Sequence, residues 1–132
     1  MNPFKELINK EKKILIFGKH GQLGKAFGLG FGINKNILQL SKEDVNFLKP
    51  DIILSIVKNF NPHYIINTSA YTNVNEAELN PKEAFVINSE ALKIIAEATK
   101  KNNSILIHYS TDYIFDGTKK TTYKPNDIPN PK

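Results

Sequence analysis

The sequence predicts an α/β fold: a doubly wound parallel sheet of about five strands in three layers. Short, almost wholly apolar runs alternate along the chain with longer stretches of helical periodicity. That alternation implies parallel strands joined by right-handed crossovers. Strands without a polar face belong to a sheet covered on both sides. A length of 132 residues suits one domain.

The elements follow in order. In Met1–Lys13, Phe4, Leu7 and Ile8 sit at helical spacing, which fits either a short docking helix or a loose arm. Ile14-Leu15-Ile16-Phe17 is a buried strand ended by Gly18. A short helix is expected to start near Gly21 and to run through Leu23, Ala26 and Phe27. Gly28, Gly30 and Gly32 would punctuate its end, since each costs about 1 kcal/mol inside a helix. Ile37-Leu38-Gln39-Leu40 is the second strand, and Asp44-Val45-Asn46-Phe47 is a candidate third.

Pro50-Asp51 opens a helix whose Ile52, Ile53, Ile56, Val57 and Phe60 form one apolar stripe, broken by Asn61-Pro62. Tyr64-Ile65-Ile66-Asn67 is the next strand. Asn80-Pro81-Lys82-Glu83 has the pattern of an N-cap, a first-turn proline and a capping glutamate. The helix it starts carries Phe85, Ile87, Ala91, Leu92, Ile95 and Ala98 to about Lys101. Ser104–Tyr109 is the last strand, with His108 expected in the core or half-buried. From Asp116 to Lys132 the chain is polar, with three prolines and no expected element.

Composition excludes several function classes. The chain has no cysteine, so thiolate catalysis, disulfides and Cys-based zinc sites are out. No pair of histidines has metal-ligand spacing, and no metal site is expected. No apolar run is long enough to cross a membrane, and the Lys-rich start lacks the apolar core of a signal peptide. The net charge of +5 comes from lysine alone, with no arginine. Lys, Asn and Ile make up 51 of 132 residues, so the charge reflects composition rather than a nucleic-acid surface.

In an open α/β sheet, ligands bind beyond the carboxyl ends of the strands. The unusual residues fall there: Gly18–Gly24 after the first strand, Ser41-Lys42 after the second, Asn46-Phe47 after the candidate third, Asn67–Thr72 and Ser110–Tyr113 after the next two. Gly18, Gly21 and Gly24 have G-x-x-G-x-x-G spacing at a strand-to-helix turn. Glycine there permits close approach of a phosphate, and the helix N-terminus offers N–H groups to a pyrophosphate. Ser41 and Lys42 stand where an NAD site has an acid, which mildly favours NADP. Hydroxyls in Ser110-Thr111-Asp112-Tyr113 could polarise a carbonyl or could form a turn that caps the strand.

Three stretches together resemble dTDP-4-dehydrorhamnose reductase, of the extended short-chain dehydrogenase/reductase superfamily. They are Ile14–Gly24, Asn67–Glu78 and His108-Tyr109-Ser110-Thr111-Asp112-Tyr113-Ile114-Phe115-Asp116-Gly117. The last is the most specific. The resemblance implies a Rossmann-type domain over residues 14–132, preceded by the arm 1–13. It implies NADPH or NADH as cofactor, a dTDP-sugar substrate and reduction of the 4-keto group of dTDP-4-dehydro-rhamnose to dTDP-rhamnose. It further implies a cytoplasmic location, no nucleic-acid or membrane partner, and leaves a homodimer of the full-length protein open.

Carried over by position, the resemblance assigns Gly18, Gly21, Gln22, Leu23 and Gly24 to the cofactor turn and Asn46 and Phe47 to the adenine. Asn46 stands where the family usually has Asp. Ser69, Ala70 and Tyr71 would line the cofactor and Tyr109 would face the nicotinamide. Thr111 would hydrogen-bond the keto oxygen, and Asp112 and Tyr113 would border the sugar. The family's acid–base pair is Tyr-x-x-x-Lys. Here Tyr64, Tyr71, Tyr109, Tyr113 and Tyr123 are followed four residues later by Thr68, Asn75, Tyr113, Gly117 and Asp127. The expectation is therefore a cofactor-binding portion truncated before that pair, inactive alone, with an apolar sheet face left exposed. The alternative is a non-catalytic cofactor-binding or regulatory protein of the same superfamily. A sugar-nucleotide epimerase or dehydratase relative is the third reading.

Overall fold

The computed structural model describes residues 12–49 and 51–131. The expectations for Phe4, Leu7, Ile8 and Pro50 lie outside the described residues. Among those described, four strands form one parallel sheet: β1 (Ile14–Phe17), β2 (Ile37–Leu40), β3 (Tyr64–Asn67) and β4 (Ile105–His108). The order is β2-β1-β3-β4, so the chain runs outward on one side of β1 and then returns to its other side. The register pairs Phe17 with both Leu40 and Asn67, and Asn67 with His108. All four carboxyl ends therefore stand in one row.

Alternation along β1 divides the core. Leu15, Phe17 and Ile65 pack with Ile53 and Val57 of α2 (Asp51–Phe60) and with Ala91, Ile95 and Ala98 of α5 (Ala91–Lys101). Ile14, Ile16 and Ile66 face the other way, toward Phe27 and Phe31 of α1 (Gln22–Phe31). This is the three-layer α/β arrangement of the Rossmann type. Asn61 follows α2 and Asn103 closes the turn after α5, both at φ 52°, a left-handed conformation that stops a helix and that asparagine tolerates.

Several expectations are corrected. Asp44–Phe47 is a turn, not a strand, so the described sheet has four strands rather than five. Asp44 Oδ2 accepts the Ser41 N–H at 2.8 Å and Asn46 Oδ1 accepts the Leu48 N–H at 2.9 Å. Such side-chain bonds compete with a sheet ladder. Val45 and Phe47 are buried all the same, and the Phe47 ring meets Phe17 edge-on at 5.4 Å.

α1 passes through Gly28 and Gly30 and ends only at Gly32. A Cβ at Gly28 would come 2.9 Å from the end of the Gln39 side chain, whose Nε2 donates to the Gly24 carbonyl, so that side chain would have to shift. The chain from Val74 to Leu79 forms an unexpected helix, α3, capped by the Asn73 side chain on the Glu76 N–H. Asn80 and Pro81 stand at the N-cap and first turn of α4 (Pro81–Phe85) as expected, but the Asn80 side chain makes no cap bond; its amide turns back to the Glu76 carbonyl. Between α4 and α5 the helix widens into a π turn over Val86–Glu90.

β4 is only partly covered, with Leu106 half-buried and its other three residues exposed. Ile105 and Ile107, 56% and 40% exposed, project from the face that α1 covers elsewhere. The expected exposed apolar face is therefore present. His108, expected in the core or half-buried, is exposed at the carboxyl end of β4 on the opposite face, the one it shares with Leu106, with its Nδ1 3.2 Å from Asn67 Nδ2.

After β4 comes a single 3-10 turn, Asp112–Ile114, and then a loop with no regular element, as expected. The loop is nonetheless knit together. Asp116 accepts from the Thr118 N–H and hydroxyl, from the Tyr123 hydroxyl and from Asn130 Nδ2. Phe115 stacks on Tyr123 at 4.2 Å. The Thr118 N–H, then Asn130, then the two hydroxyls hold the Asp116 carboxyl well below the usual carboxylate range. A carboxylate lowered by folding adds stability above its unfolded value and loses it as pH falls through the lower folded value. The loop should therefore resist proteolysis through about pH 3.9, where ordinary aspartates protonate, and loosen only below it. Asp116→Asn, which turns an amide N–H₂ toward donors, should open the 117–129 segment to protease at neutral pH. An unchanged cleavage rate would refute this role.

Candidate functional site

The row of carboxyl ends carries two adjoining cavities. The first, about 650 Å³, lies beyond β2 and β1 and is lined by Gly18, His20, Gly21, Lys42, Glu43, Asn46 and Phe47, among others. The second, about 580 Å³, lies beyond β3 and β4 and includes Leu23, Tyr109, Ser110, Thr111 and Tyr113. Thr68, Ser69, Ala70, Tyr71 and Ile87 line both. A ligand with two lobes joined by a narrow linker suits this shape, with the linker at the shared wall.

Beside that wall is the turn from β1 to α1. The Gly18 and Lys19 N–H groups donate to the Leu40 carbonyl at 2.9 and 3.1 Å, and the Gly21 N–H donates to the Gly18 carbonyl at 3.0 Å. Gly18 has φ +94°, and a Cβ there would lie 2.5 Å from Thr68 Oγ1. A Cβ on buried Gly24 would overlap the Gly18 carbonyl. These two glycines serve close packing. Gly21 differs: a Cβ there meets only the Gly18 carbonyl, at 3.4 Å. It caps α1 without a side chain, and the first helical bond is from Lys25 N–H to the Gly21 carbonyl. The N–H groups of Gln22, Leu23 and Gly24 thus have no partner within the helix geometry and suit an anionic linker.

The segment after β3 forms the shared wall. Thr68 donates its hydroxyl to the Phe17 carbonyl at 2.7 Å, and the Ser69 N–H donates to Asn67 Oδ1 at 3.1 Å. Asn88 then clamps the segment from across the cleft. Its Oδ1 accepts the Tyr71 N–H at 2.7 Å and its Nδ2 donates to the Tyr71 carbonyl at 3.1 Å. Asn88 sits within the π turn, and such widened turns often mark functional sites. Sequence reading missed Asn88, since a π turn has no periodicity signal of its own. Asn88→Ala should cost about 1 kcal/mol locally for two exposed bonds and speed hydrogen exchange at the Tyr71 amide. Unchanged exchange there would count against the clamp.

The sequence-nominated residues mostly converge. Gly18, Gly21, Asn46 and Phe47 line the first cavity, Leu23, Tyr109, Thr111 and Tyr113 the second, and Ser69, Ala70 and Tyr71 both. Gln22 and Gly24 line neither; Gln22 opens α1 and Gly24 packs beneath it. Asp112 begins the 3-10 turn beside Thr111. Thr111 Oγ1 accepts the Tyr113 N–H at 3.2 Å, so the turn considered from sequence is present and orients the hydroxyl oxygen at the cavity wall. Among the described residues no cluster of His, Asp and Glu could hold a metal ion.

Comparison with known proteins identifies the family. The family model for the RmlD substrate binding domain matches residues 12–132. The dTDP-4-dehydrorhamnose reductase of Aggregatibacter actinomycetemcomitans is 38% identical over 121 residues, covering 90% of this chain and 41% of the relative. That of Burkholderia thailandensis is 36% identical over 115 residues, covering 87% and 39%. The crystal structure of dTDP-4-dehydrorhamnose reductase from Bacillus anthracis in complex with NADP superposes with a TM-score of 0.83 at 30% identity, over 92% of this chain and 44% of that one. The chain thus spans about two fifths of the length of the curated relatives it matches.

Proposed function

Because the chain belongs to the RmlD substrate binding domain family, we propose that residues 14–132 are the cofactor-binding portion of an NAD(P)H-dependent dTDP-4-dehydrorhamnose reductase. The observation that carries the reading is the pair of cavities sharing the Thr68–Tyr71 wall, with the N-terminus of α1 beside it, an arrangement suited to a dinucleotide. The naming of the relatives supports the substrate, the 4-keto sugar dTDP-4-dehydro-rhamnose, and the product, dTDP-rhamnose.

The residues divide the work. The N–H groups of Gln22, Leu23 and Gly24 hold the pyrophosphate, with Gly21 giving the close approach and Gly18, at the cavity wall, seating the turn against Thr68. Asn46 and Phe47 flank the adenine. Ser69, Ala70 and Tyr71 form the wall between the lobes, and Tyr109 lies on the nicotinamide side. The nicotinamide supplies the hydride when bound. Thr111 donates a hydrogen bond to the sugar keto oxygen as negative charge gathers on it. Asp112 and Tyr113 border the sugar.

Incubation of the whole protein with dTDP-4-dehydro-rhamnose and NADPH or NADH tests the reading. Consumption of cofactor with formation of dTDP-rhamnose is the expected result. Redox-neutral conversion of the sugar would replace reduction by epimerase chemistry. Cofactor binding without turnover of any nucleotide sugar would favour a regulatory member of the superfamily.

A further inference from the structure

The second cavity is lined by an imidazole that the reductase reading leaves without a role. His108 stands there at the carboxyl end of β4, and none of the residues lining that cavity is an acid or a lysine. The ring's partner is Asn67, opposite it in the register and only 2% exposed. Asn67 Oδ1 accepts the Ser69 N–H at 3.1 Å, which fixes the way the amide points. The other end of the amide, Nδ2, can only donate, and it lies 3.2 Å from His108 Nδ1. Nδ1 must therefore accept, which puts the ring proton on Nε2.

This pair has one workable state. A proton on Nδ1 sets donor against donor. Asn67 would then keep a buried N–H₂ without a partner, or turn over and lose the Ser69 N–H. Leaving such a buried group unmet costs more than the bond itself contributes. Ser69 stands in the wall that both cavities share. We propose that His108 is a positioning residue: through Asn67 it holds Ser69, and with it the wall between the two cavities, and it does so only while Nδ1 carries no proton. The ligand that feels this wall is the dinucleotide of the cofactor reading above; the pair itself stands without that reading.

Few other groups around the ring can titrate. Tyr71, Tyr109 and Tyr113 are the remaining titratable residues that line the second cavity. α5 turns Ala91, Ile95 and Ala98 toward Leu106, on the face that His108 shares. Asp112 is the nearest acid along the chain. The first cavity is lined by His20, Lys42, Glu43 and Glu83, and these stay in place when His108 alone is replaced.

Nitrogen NMR of the labelled chain reads the ring directly. In its neutral form His108 should show a bare Nδ1 and a protonated Nε2, and a proton on Nδ1 in that form would overturn the proposal. Asn67→Asp, which turns a second acceptor toward the ring, should place a proton on Nδ1. Protection of the Ser69 amide against hydrogen exchange should fall about tenfold in His108→Leu, and in the native chain as acid protonates the ring. His108→Asn, whose amide oxygen can stand in for Nδ1, should restore the protection and remove its dependence on pH. NADPH should bind about fivefold more weakly to His108→Leu and within about twofold of native to His108→Asn. Unchanged Ser69 protection or unchanged NADPH affinity in His108→Leu would overturn the positioning role and leave the cofactor reading standing. A native chain that binds no NADPH while its Ser69 protection still depends on His108 would remove the cofactor reading and keep the pair.

Discussion

Gly24→Ala is expected to destabilise the protein more than any other single-methyl addition in the glycine turn. The added Cβ would overlap the carbonyl of Gly18 and crowd its carbonyl carbon at 2.8 Å. Both are backbone atoms, and they cannot rotate away as a side chain could. The Gly18–Lys19 backbone is itself held by two N–H bonds to the Leu40 carbonyl. Relief therefore requires α1 to lift from the sheet, which uncovers Phe27 and Phe31 over Ile14, Ile16 and Ile66. Overpacking of this kind costs about 1–3 kcal/mol, and a rigid backbone contact belongs at about 3 kcal/mol. Denaturant unfolding of the two proteins measures it. A change below about 0.5 kcal/mol would mean that α1 is not seated as described.

Gly21→Val should do the opposite: keep the fold and remove the ligand. The backbone of Gly21 is extended, at φ −69° and ψ 169°, a conformation that valine adopts readily. Its Cβ would meet only one atom, at ordinary contact distance. The residue makes no side-chain cap, so the exchange should cost at most about 1 kcal/mol of stability. The branched side chain would nonetheless stand over the N–H groups of α1, where the pyrophosphate is proposed to lie. NADPH affinity should fall at least about a hundredfold, a loss of about 2.7 kcal/mol. Calorimetric titration beside a melting curve separates the two effects. Undiminished affinity in a folded variant would remove the pyrophosphate from this turn.

The two glycines show how far the sequence is legible. Their spacing marks a strand-to-helix turn, but only the packed structure tells that Gly24 serves the fold and leaves Gly21 facing the cleft. β1, β2 and β3 are readable to the residue because each is a short, mainly apolar run with a polar or glycine stop. β4 is readable in position but not in burial, since nothing in its own residues tells which neighbours cover it. The strand expected at Asp44–Phe47 fails because two short polar side chains, Asp44 and Asn46, bind the backbone locally. Asn88 escapes notice for a different reason: its contacts are with Tyr71, 17 residues away, and no local pattern encodes such a pair. Ser110–Tyr113 were legible from their place after the last strand, and only the individual roles of Thr111, Asp112 and Tyr113 rested on family resemblance.

The most direct test of the central claim is an amide-resolved NMR titration of the chain with NADPH. The account predicts shifts at Gly18–Gly24, at Ser41–Phe47 and at Ser69–Tyr71, with the amides of Gln22 and Leu23 moving most. It predicts little change at Asn61–His63 and Asn102–Ser104, on the opposite edge of the sheet. Shifts centred on that opposite edge, or no shifts at saturating NADPH, would contradict a dinucleotide site at the carboxyl ends of the strands.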